Sequence, residues 1–172
     1  GEQHSCALLD NQTVKCWGYN VYGQLGDGTQ VQRNTPVTVP GLSGVTAIAT
    51  GAYHTCAVMT GGTVKCWGAN FQGQAGVSGS TVLSPTDVPS VSSVASLVLG
   101  TTHSCARLTD MSVKCWGGNS VGQLGDGTTV DRYTPVTVPA WAGATAMSAG
   151  NTHTCALFSN GTVKCSGNNN LG

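Results

Sequence analysis

Histidine and cysteine are the residue types in this chain best suited to metal binding or covalent cross-linking, and they recur together at a fixed spacing. Four times a histidine is followed two residues later by a cysteine, and another cysteine comes ten residues after the first. The histidines are His4, His54, His103 and His153, and the cysteine pairs are Cys6 and Cys16, Cys56 and Cys66, Cys105 and Cys115, and Cys155 and Cys165. The pattern allows a disulfide in each unit or a zinc site with three ligands.

The residues between the paired cysteines favour the disulfide. In the fourth unit, apolar and β-branched residues flank Ser159-Asn160-Gly161, which is typical of a β-hairpin with a three-residue loop. Counting outward from this loop places Cys155 opposite Cys165, at the Cα separation that a disulfide accepts. A two-residue turn would instead set cysteine beside tryptophan. We therefore predict one cross-strand disulfide per hairpin, each stabilising the fold by roughly 2–3 kcal/mol on the chain-entropy model.

The zinc alternative stays open, because His4 and Cys6 would share one face of a strand. Against it, zinc cysteines usually come as close C-x2-C pairs, and this chain has none. A residue that returns in every unit is also explained more simply by structure than by one active site. We therefore expect the histidine rings to be hydrogen-bonded to the backbone near strand entrances, and we predict no metal site.

Composition indicates a β-rich protein from an oxidising compartment. The 172 residues have a formal net charge of zero, and 8% are charged, against about a quarter in average proteins. Without a basic patch we expect no nucleic-acid partner, and without a run of about 18 apolar residues we expect no membrane insertion. Eight cysteines in regular pairs predict an extracellular location, secreted or at the cell surface.

The order of elements between successive histidines is constant. The histidines are 50, 49 and 50 residues apart. After each hairpin comes a polar loop, then a strand such as Thr35–Pro40, then a small-residue strand such as Val45–Ala49. Four short strands in a period of this length predict the blade of a β-propeller. The chain is thus a single repeat array over 1–172, with repeats at about 1–50, 51–99, 100–149 and an incomplete 150–172.

The repeated string G-x-x-H-(S/T)-C-A, V-K-C-W-G-x-N-x-x-G-Q-L-G-D-G-T and P-V-T-V points to a family. It resembles the regulator of chromosome condensation (RCC1) repeat over the whole chain, through Gly51, His54, Ala57, Trp67, Gly68, Asn70, Gly73, Gln74 and their equivalents. The resemblance implies an all-β propeller of four-stranded antiparallel blades, usually seven in number. The cysteine pairs are a departure from the eukaryotic nuclear member of the family, and in this feature the chain is more similar to the secreted bacterial branch. About three and a half blades fit this length, which predicts part of a longer chain or a homo-oligomer.

Candidate sites outside the hairpins are few. The loop Gly23–Thr29 is rich in glycine, but no Lys-Ser/Thr follows it, so it is not a phosphate loop. Single carboxylates at Asp27 and Asp126 are too few to hold calcium. The patterned tryptophans are expected between blades. Trp141 lies outside the repeat frame, so it is a candidate contact residue, with burial as the alternative. Two sequons predict glycosylation at the residues Asn11 and Asn160.

These observations predict a non-enzymatic extracellular scaffold that binds an unknown protein or surface partner through variable loops. The repeats differ most at Gln30–Asn34, Val77–Ser84 and Thr129–Tyr133. No nucleophile has a plausible base in a unique place, so we expect no catalytic residue and no cofactor. One alternative is an enzyme inhibitor like the family's secreted β-lactamase inhibitor, which predicts an aromatic-rich loop rim on one propeller face, whereas we expect few aromatics of this chain to lie outside the repeat frame. Another is guanine-nucleotide exchange and chromatin binding, which the cysteines and absent basic charge disfavour.

Overall fold

The computed structural model describes residues 1–170, which form antiparallel β strands joined by short loops. Leu171 and Gly172, at the end of the predicted repeat 150–172, lie outside the described residues. The strands are β1 (His4–Leu8), β2 (Val14–Gly18), β3 (Arg33–Thr38), β4 (Val45–Thr50), β5 (His54–Met59), β6 (Val64–Ala69), β7 (Thr81–Asp87), β8 (Val94–Leu99), β9 (His103–Leu108), β10 (Val113–Gly117), β11 (Arg132–Thr137), β12 (Ala144–Ala149), β13 (His153–Phe158) and β14 (Val163–Gly167). Within residues 1–170, no helix is long and apolar enough to cross a membrane.

The strands form four sheets that follow one another along the chain. Strands β4 to β7 make one four-stranded sheet and β8 to β11 another, while β1 to β3 and β12 to β14 make three-stranded sheets. The first strands of successive sheets, β4, β8 and β12, contact one another in series. This all-β architecture of hydrogen-bonded neighbours in chain order is the one that the repeat pattern predicts.

The sheets are offset by one strand from the sequence periods. Each period begins at a hairpin and ends with a small-residue strand such as β4, but β4 pairs with β5 of the next period. The predicted limits 1–50, 51–99 and 100–149 therefore divide the repeating sequence, whereas each complete sheet combines parts of two periods. This arrangement hydrogen-bonds every period to its neighbour through a full strand pair.

The hairpins have the predicted register. Leu157 pairs with Val163 and Cys155 with Cys165, around a three-residue loop that Phe158 closes by donating its N–H to the Thr162 carbonyl. The third loop residue has positive φ in every hairpin, and this residue is Gln12, Gly62, Met111 or Gly161. A left-handed residue at this position turns the chain tightly enough to keep the cysteines opposed.

All four predicted disulfides are present, and among the described residues no cysteine is free. The bonded cysteines have Cα atoms 4.1 Å apart, close to the separation of facing residues in a non-hydrogen-bonded antiparallel pair. The zinc alternative fails for this reason, since the sulfur atoms that it needs are bonded to each other.

Tryptophans fill the space between sheets, and one of them corrects a prediction. Gly26 lies against the Trp67 ring and Gly76 against Trp116, with both rings fully buried. The fourth hairpin carries Ser166 where the others have tryptophan. There Trp141, in a 3₁₀ turn at Pro139–Trp141, lies against Gly125 instead and is only 2% exposed. The contact prediction for Trp141 is therefore wrong, because this ring occupies the core position that the repeat leaves empty.

Candidate protein-binding surface

The repeated histidines join each sheet to the next. In each link a histidine Nε2 lies 2.8–2.9 Å from a hydroxyl oxygen of the following sheet. The pairs are His4 with Thr55, His54 with Ser104, and His103 with Thr154. Each hydroxyl donates its own proton to the main-chain carbonyl of Gln24, Gln74 or Gln123. The hydroxyl therefore accepts from the histidine, which fixes the proton on Nε2.

These histidines are neutral structural groups. Burial is the main cause that lowers the pKa of these rings, and a neighbouring positive charge adds to it. The pKa is about 4 for His4, about 3 for His54 and about 4 for His103. Indole N–H groups of Trp67 and Trp116 donate to the same glutamine carbonyls, at 2.9 and 3.0 Å. The predicted hydrogen-bonding role of the histidines holds for these three, although their partner is a side-chain hydroxyl rather than the backbone.

The carboxylates of Asp27 and Asp126 stabilise the loops in which they lie. The Asp27 carboxylate accepts from the Asn20 amide, from the N–H and hydroxyl of Thr29, and from Arg33 at 2.8 Å. Burial by itself would raise the pKa of Asp27, but the hydrogen bonds from Thr29, Arg33 and Asn20 hold it below its usual value. Asp126 is held in the same way. Both carboxylates are thus engaged in stabilising their own glycine-rich loops.

The loops held in this way lie on one side of the sheets. We define the loop face as the side where β2, β6 and β10 end and where β5, β9 and β13 begin. The opposite side, the hairpin face, carries the four hairpin loops. Asn20 anchors a loop of the loop face, because its Oδ1 accepts from the Leu25 N–H while its Nδ2 donates to the Thr29 and Val31 carbonyls. The three variable segments predicted to make contacts lie in loops of the loop face or in the first residues of the strands β3, β7 and β11 that follow these loops.

Five aromatic side chains on the loop face form a continuous cluster, which we call the aromatic surface. Its members are Tyr19, Tyr22, Tyr53, Phe71 and Tyr133. Tyr22 contacts Tyr53 and Phe71 edge to face, with ring centroids 5.4 Å apart in each case. Tyr19 lies 6.4 Å from Tyr22 and 6.3 Å from Tyr53. The Tyr133 hydroxyl donates to the Phe71 carbonyl at 3.3 Å, which extends the cluster across three sheets.

Much of this surface faces solvent. Phe71 is 51% exposed and Tyr133 is 54% exposed, while the other three rings are half-buried. Val21, Val31, Val121 and Val130 are also exposed on loops of the same face. Exposed apolar side chains gathered into one patch, with pre-packed aromatic rings, are characteristic of protein-binding surfaces.

Sequence reasoning missed this surface because its members are far apart along the chain. Tyr19 and Tyr22 follow the first hairpin, whereas Tyr53 precedes the second and Tyr133 lies in the third sheet. The expectation that few aromatics lie outside the repeat frame is corrected here, since these five occupy positions that differ from repeat to repeat, four of them in loops and Tyr133 near the start of β11.

The two sequons lie on the other side of the molecule. Asn11 and Asn160 are exposed in hairpin loops, and each side-chain oxygen accepts from the hydroxyl of the threonine two residues later, at 2.7 Å. Glycosylation at either residue stays a prediction. A glycan there would project from the hairpin face and leave the aromatic surface uncovered.

Comparisons with known proteins agree with the repeat pattern. A family model described as the regulator of chromosome condensation (RCC1) repeat matches residues 13–58 and 112–157. A second model with the same description matches residues 1–24, 45–74, 92–123 and 144–172. No curated protein sequence matches the chain.

Solved structures share the fold. Yeast RCC1 (Prp20) in its complex with Kap60 is 24% identical with a TM-score of 0.86, and the match covers 97% of this chain and 42% of that one. Prp20p of Saccharomyces cerevisiae, from a study of its binding to Gsp1p and histones, is 25% identical with a TM-score of 0.85, covering 97% and 44%. The receptor kinase CR4 ectodomain of Physcomitrella patens is 23% identical with a TM-score of 0.60, covering 97% and 39%. The chain therefore forms a partial β-propeller of about three and a half blades and spans less than half the length of these proteins.

Proposed function

This chain belongs to the RCC1 repeat family, and from that premise we propose that it is a non-enzymatic scaffold that binds a protein partner through its aromatic surface. The observation that carries this proposal is the packing of five aromatic side chains of the loop face into one partly exposed cluster across three blades. Rings already packed against each other lose little conformational freedom when a partner docks, and aromatic side chains supply much of the binding energy at interfaces.

A non-enzymatic role is supported by the use of the polar groups. Three of the four histidines are buried in inter-blade hydrogen bonds, and every cysteine is in a disulfide. Asp27 and Asp126 are engaged by loop donors and by arginine. These candidate nucleophiles, bases and acids therefore hold the blades and loops together, which supports a binding role for the loop face.

An extracellular location, in the secreted bacterial-type branch, is the second part of the proposal. Its support is the cross-strand disulfide in each hairpin, because such bonds persist in oxidising compartments and are rare in the cytosol. We also propose a single array over 1–172 that is completed by further blades of a longer chain or by oligomerisation.

Differential capture tests the binding role. The wild-type chain, a Tyr22→Ala/Phe71→Ala variant and a Met111→Ala control are immobilised and exposed to the extracellular fluid of the source organism. Met111 is 47% exposed in a hairpin loop on the opposite face, so it is close to Phe71 in exposure and apolar character. We expect a protein that wild type and control retain equally and that the double variant retains at about one tenth or less. Equal retention by all three would refute the proposal.

Enzyme inhibition is a second candidate, favoured by the aromatic surface itself, which is the feature that this hypothesis requires. Its test is the initial rate of β-lactam hydrolysis by a panel of β-lactamases with the chain in excess. Inhibition that disappears in Tyr22→Ala/Phe71→Ala would establish this role, whereas unchanged rates would leave the general scaffold. The exchange-factor alternative is supported by similarity to yeast RCC1 alone, and the disulfides count against it.

A further inference from the structure

Charged side chains are distributed unevenly between the two faces. The loop face carries four acidic and two basic side chains, namely Glu2, Asp27, Asp126 and Asp131 with Arg33 and Arg132. The hairpin half of the blades carries three acidic and five basic side chains, namely Asp10, Asp87 and Asp110 with Lys15, Lys65, Arg107, Lys114 and Lys164. A chain with a formal net charge of zero is thus acidic on the face that bears the aromatic surface.

Two of the loop-face carboxylates are not neutralised by a basic side chain. Arg33 and Arg132 are paired with Asp27 and Asp126. Glu2 and Asp131 make no salt bridge within residues 1–170, although Asp131 accepts a hydrogen bond from the backbone N–H of Asn119. The negative charge that remains available to a partner therefore belongs to Glu2 and Asp131.

Both carboxylates adjoin the aromatic surface. Glu2 is exposed, and its backbone N–H donates to the Ala52 carbonyl, next to Tyr53. Loss of solvent contact and the nearby Glu2 carboxylate raise the pKa of Tyr53 above its usual value, in that order of importance. Asp131 precedes Tyr133 by two residues. The amino group of Gly1 is directed elsewhere, to the His4 carbonyl and the Thr50 hydroxyl.

We propose that the aromatic surface receives a protein segment that presents an arginine or lysine side chain between apolar residues. The cation lies near Glu2 and over the tyrosine rings, which attract cations through their electron-rich faces. Apolar neighbours of that side chain contact Phe71 and Tyr133. This inference rests on the proposed function and specifies its partner. An acidic segment is disfavoured, because like charges brought together at an interface repel each other.

Peptide selection provides the probe. A phage library of short random peptides is selected on the disulfide-intact chain, and peptides that also bind Tyr22→Ala/Phe71→Ala are removed. The peptides that remain depend on the aromatic surface, and we expect arginine or lysine beside apolar residues to be enriched among them. A synthetic peptide of the best sequence is then titrated against each variant by fluorescence polarisation.

Matched substitutions test whether the Glu2 carboxylate and the positive charge of the peptide contribute to binding. We expect Glu2→Gln to weaken peptide binding about five-fold, because an exposed ion pair contributes modestly. Asp10→Asn, which removes an exposed carboxylate from the hairpin face, should change it less than about two-fold. Replacing the peptide's arginine by citrulline, which has the same shape without the charge, should weaken binding about ten-fold.

The outcomes separate this inference from the proposed function. Surface-dependent peptides without basic residues, or an arginine-to-citrulline exchange without effect, would overturn the basic partner and leave the scaffold role intact. If no selected peptide depends on Tyr22 and Phe71, both the inference and the proposed function fail.

Discussion

Acid should destabilise this fold steeply, because three buried histidines must be neutral for the blades to join. His4, His54 and His103 have pKa values of about 4, 3 and 4 in the folded chain, against about 6.5 when exposed. The folded-state pKa of a base is depressed here, so between these values the unfolded chain binds more protons than the folded one. The stabilising contribution is therefore complete above about pH 6.5 and is lost as the pH falls towards 4.

The size of this loss of stability follows from the number of protons that the chain takes up on unfolding. Each proton taken up on unfolding changes the free energy of unfolding by about 1.4 kcal/mol per pH unit. Three histidines, mostly protonated in the unfolded chain between about pH 5 and pH 6.5, give a slope of roughly 3–4 kcal/mol per pH unit. The accumulated loss near pH 4 is about 9 kcal/mol, which is comparable to the whole stability of a typical domain.

Urea unfolding measures this slope. Tryptophan fluorescence, with the disulfides intact, gives the free energy of unfolding between about pH 5 and pH 6.5, above the range in which carboxylates titrate. In His54→Gln, whose amide can still donate to the Ser104 hydroxyl, the slope should fall by about one third. A slope below about 1 kcal/mol per pH unit, or one that His54→Gln leaves unchanged, would refute the assignment of neutral inter-blade histidines.

Three further predictions concern packing and backbone conformation. Gly100→Ala should cost about 3 kcal/mol of unfolding free energy, because the new methyl would overlap the His103 ring and lie 2.6 Å from the Gly150 carbonyl oxygen. The control is Gly41→Ala, where the new methyl meets open space but φ is positive, and it should cost about 1 kcal/mol in the same urea assay. Trp141→Ala should cost about 3–5 kcal/mol if this ring fills the core beside Ser166, and a cost below about 1 kcal/mol would contradict that placement. Met111→Gly should raise the melting temperature by about 2 °C in calorimetry, because Met111 has φ +63° and glycine adopts that conformation without strain; a lower melting temperature would show that the loop tolerates methionine at no cost.

The hairpins could be predicted because everything that determines them is local. Counting from Gly161 sets the register, and the register sets which cysteines meet, so Cys155 and Cys165 were paired without knowledge of the other blades. The position of Trp141 could not be predicted in the same way. Its burial compensates for Ser166, which is 25 residues away, and that relation exists only once two blades are packed together.

The boundaries of the blades were also beyond sequence reasoning. A period can be counted from any starting point, and nothing in the sequence says that β4 leaves one period to pair with β5 of the next. Only the hydrogen bonding between β4 and β5 shows at which strand a blade begins. Similarly, the hydroxyls of Thr55 and Ser104 recur beside the cysteines, but their role as acceptors from histidine depends on the twist that brings successive blades together.

Positions that repeat and positions that do not repeat have different roles in this fold. The repeated histidine, asparagine and glutamine are buried wherever a following blade covers them, and the repeated tryptophan is buried where a preceding blade covers it. These residues build the links between blades. At the position of Tyr19 the next two repeats have alanine and glycine, and at the position of Tyr22 they have glutamine and valine. Packing one blade on the next therefore does not require an aromatic ring at either position. Because the scaffold is stabilised by the residues that recur, the rings that do not recur are free to serve recognition, and they meet on one face.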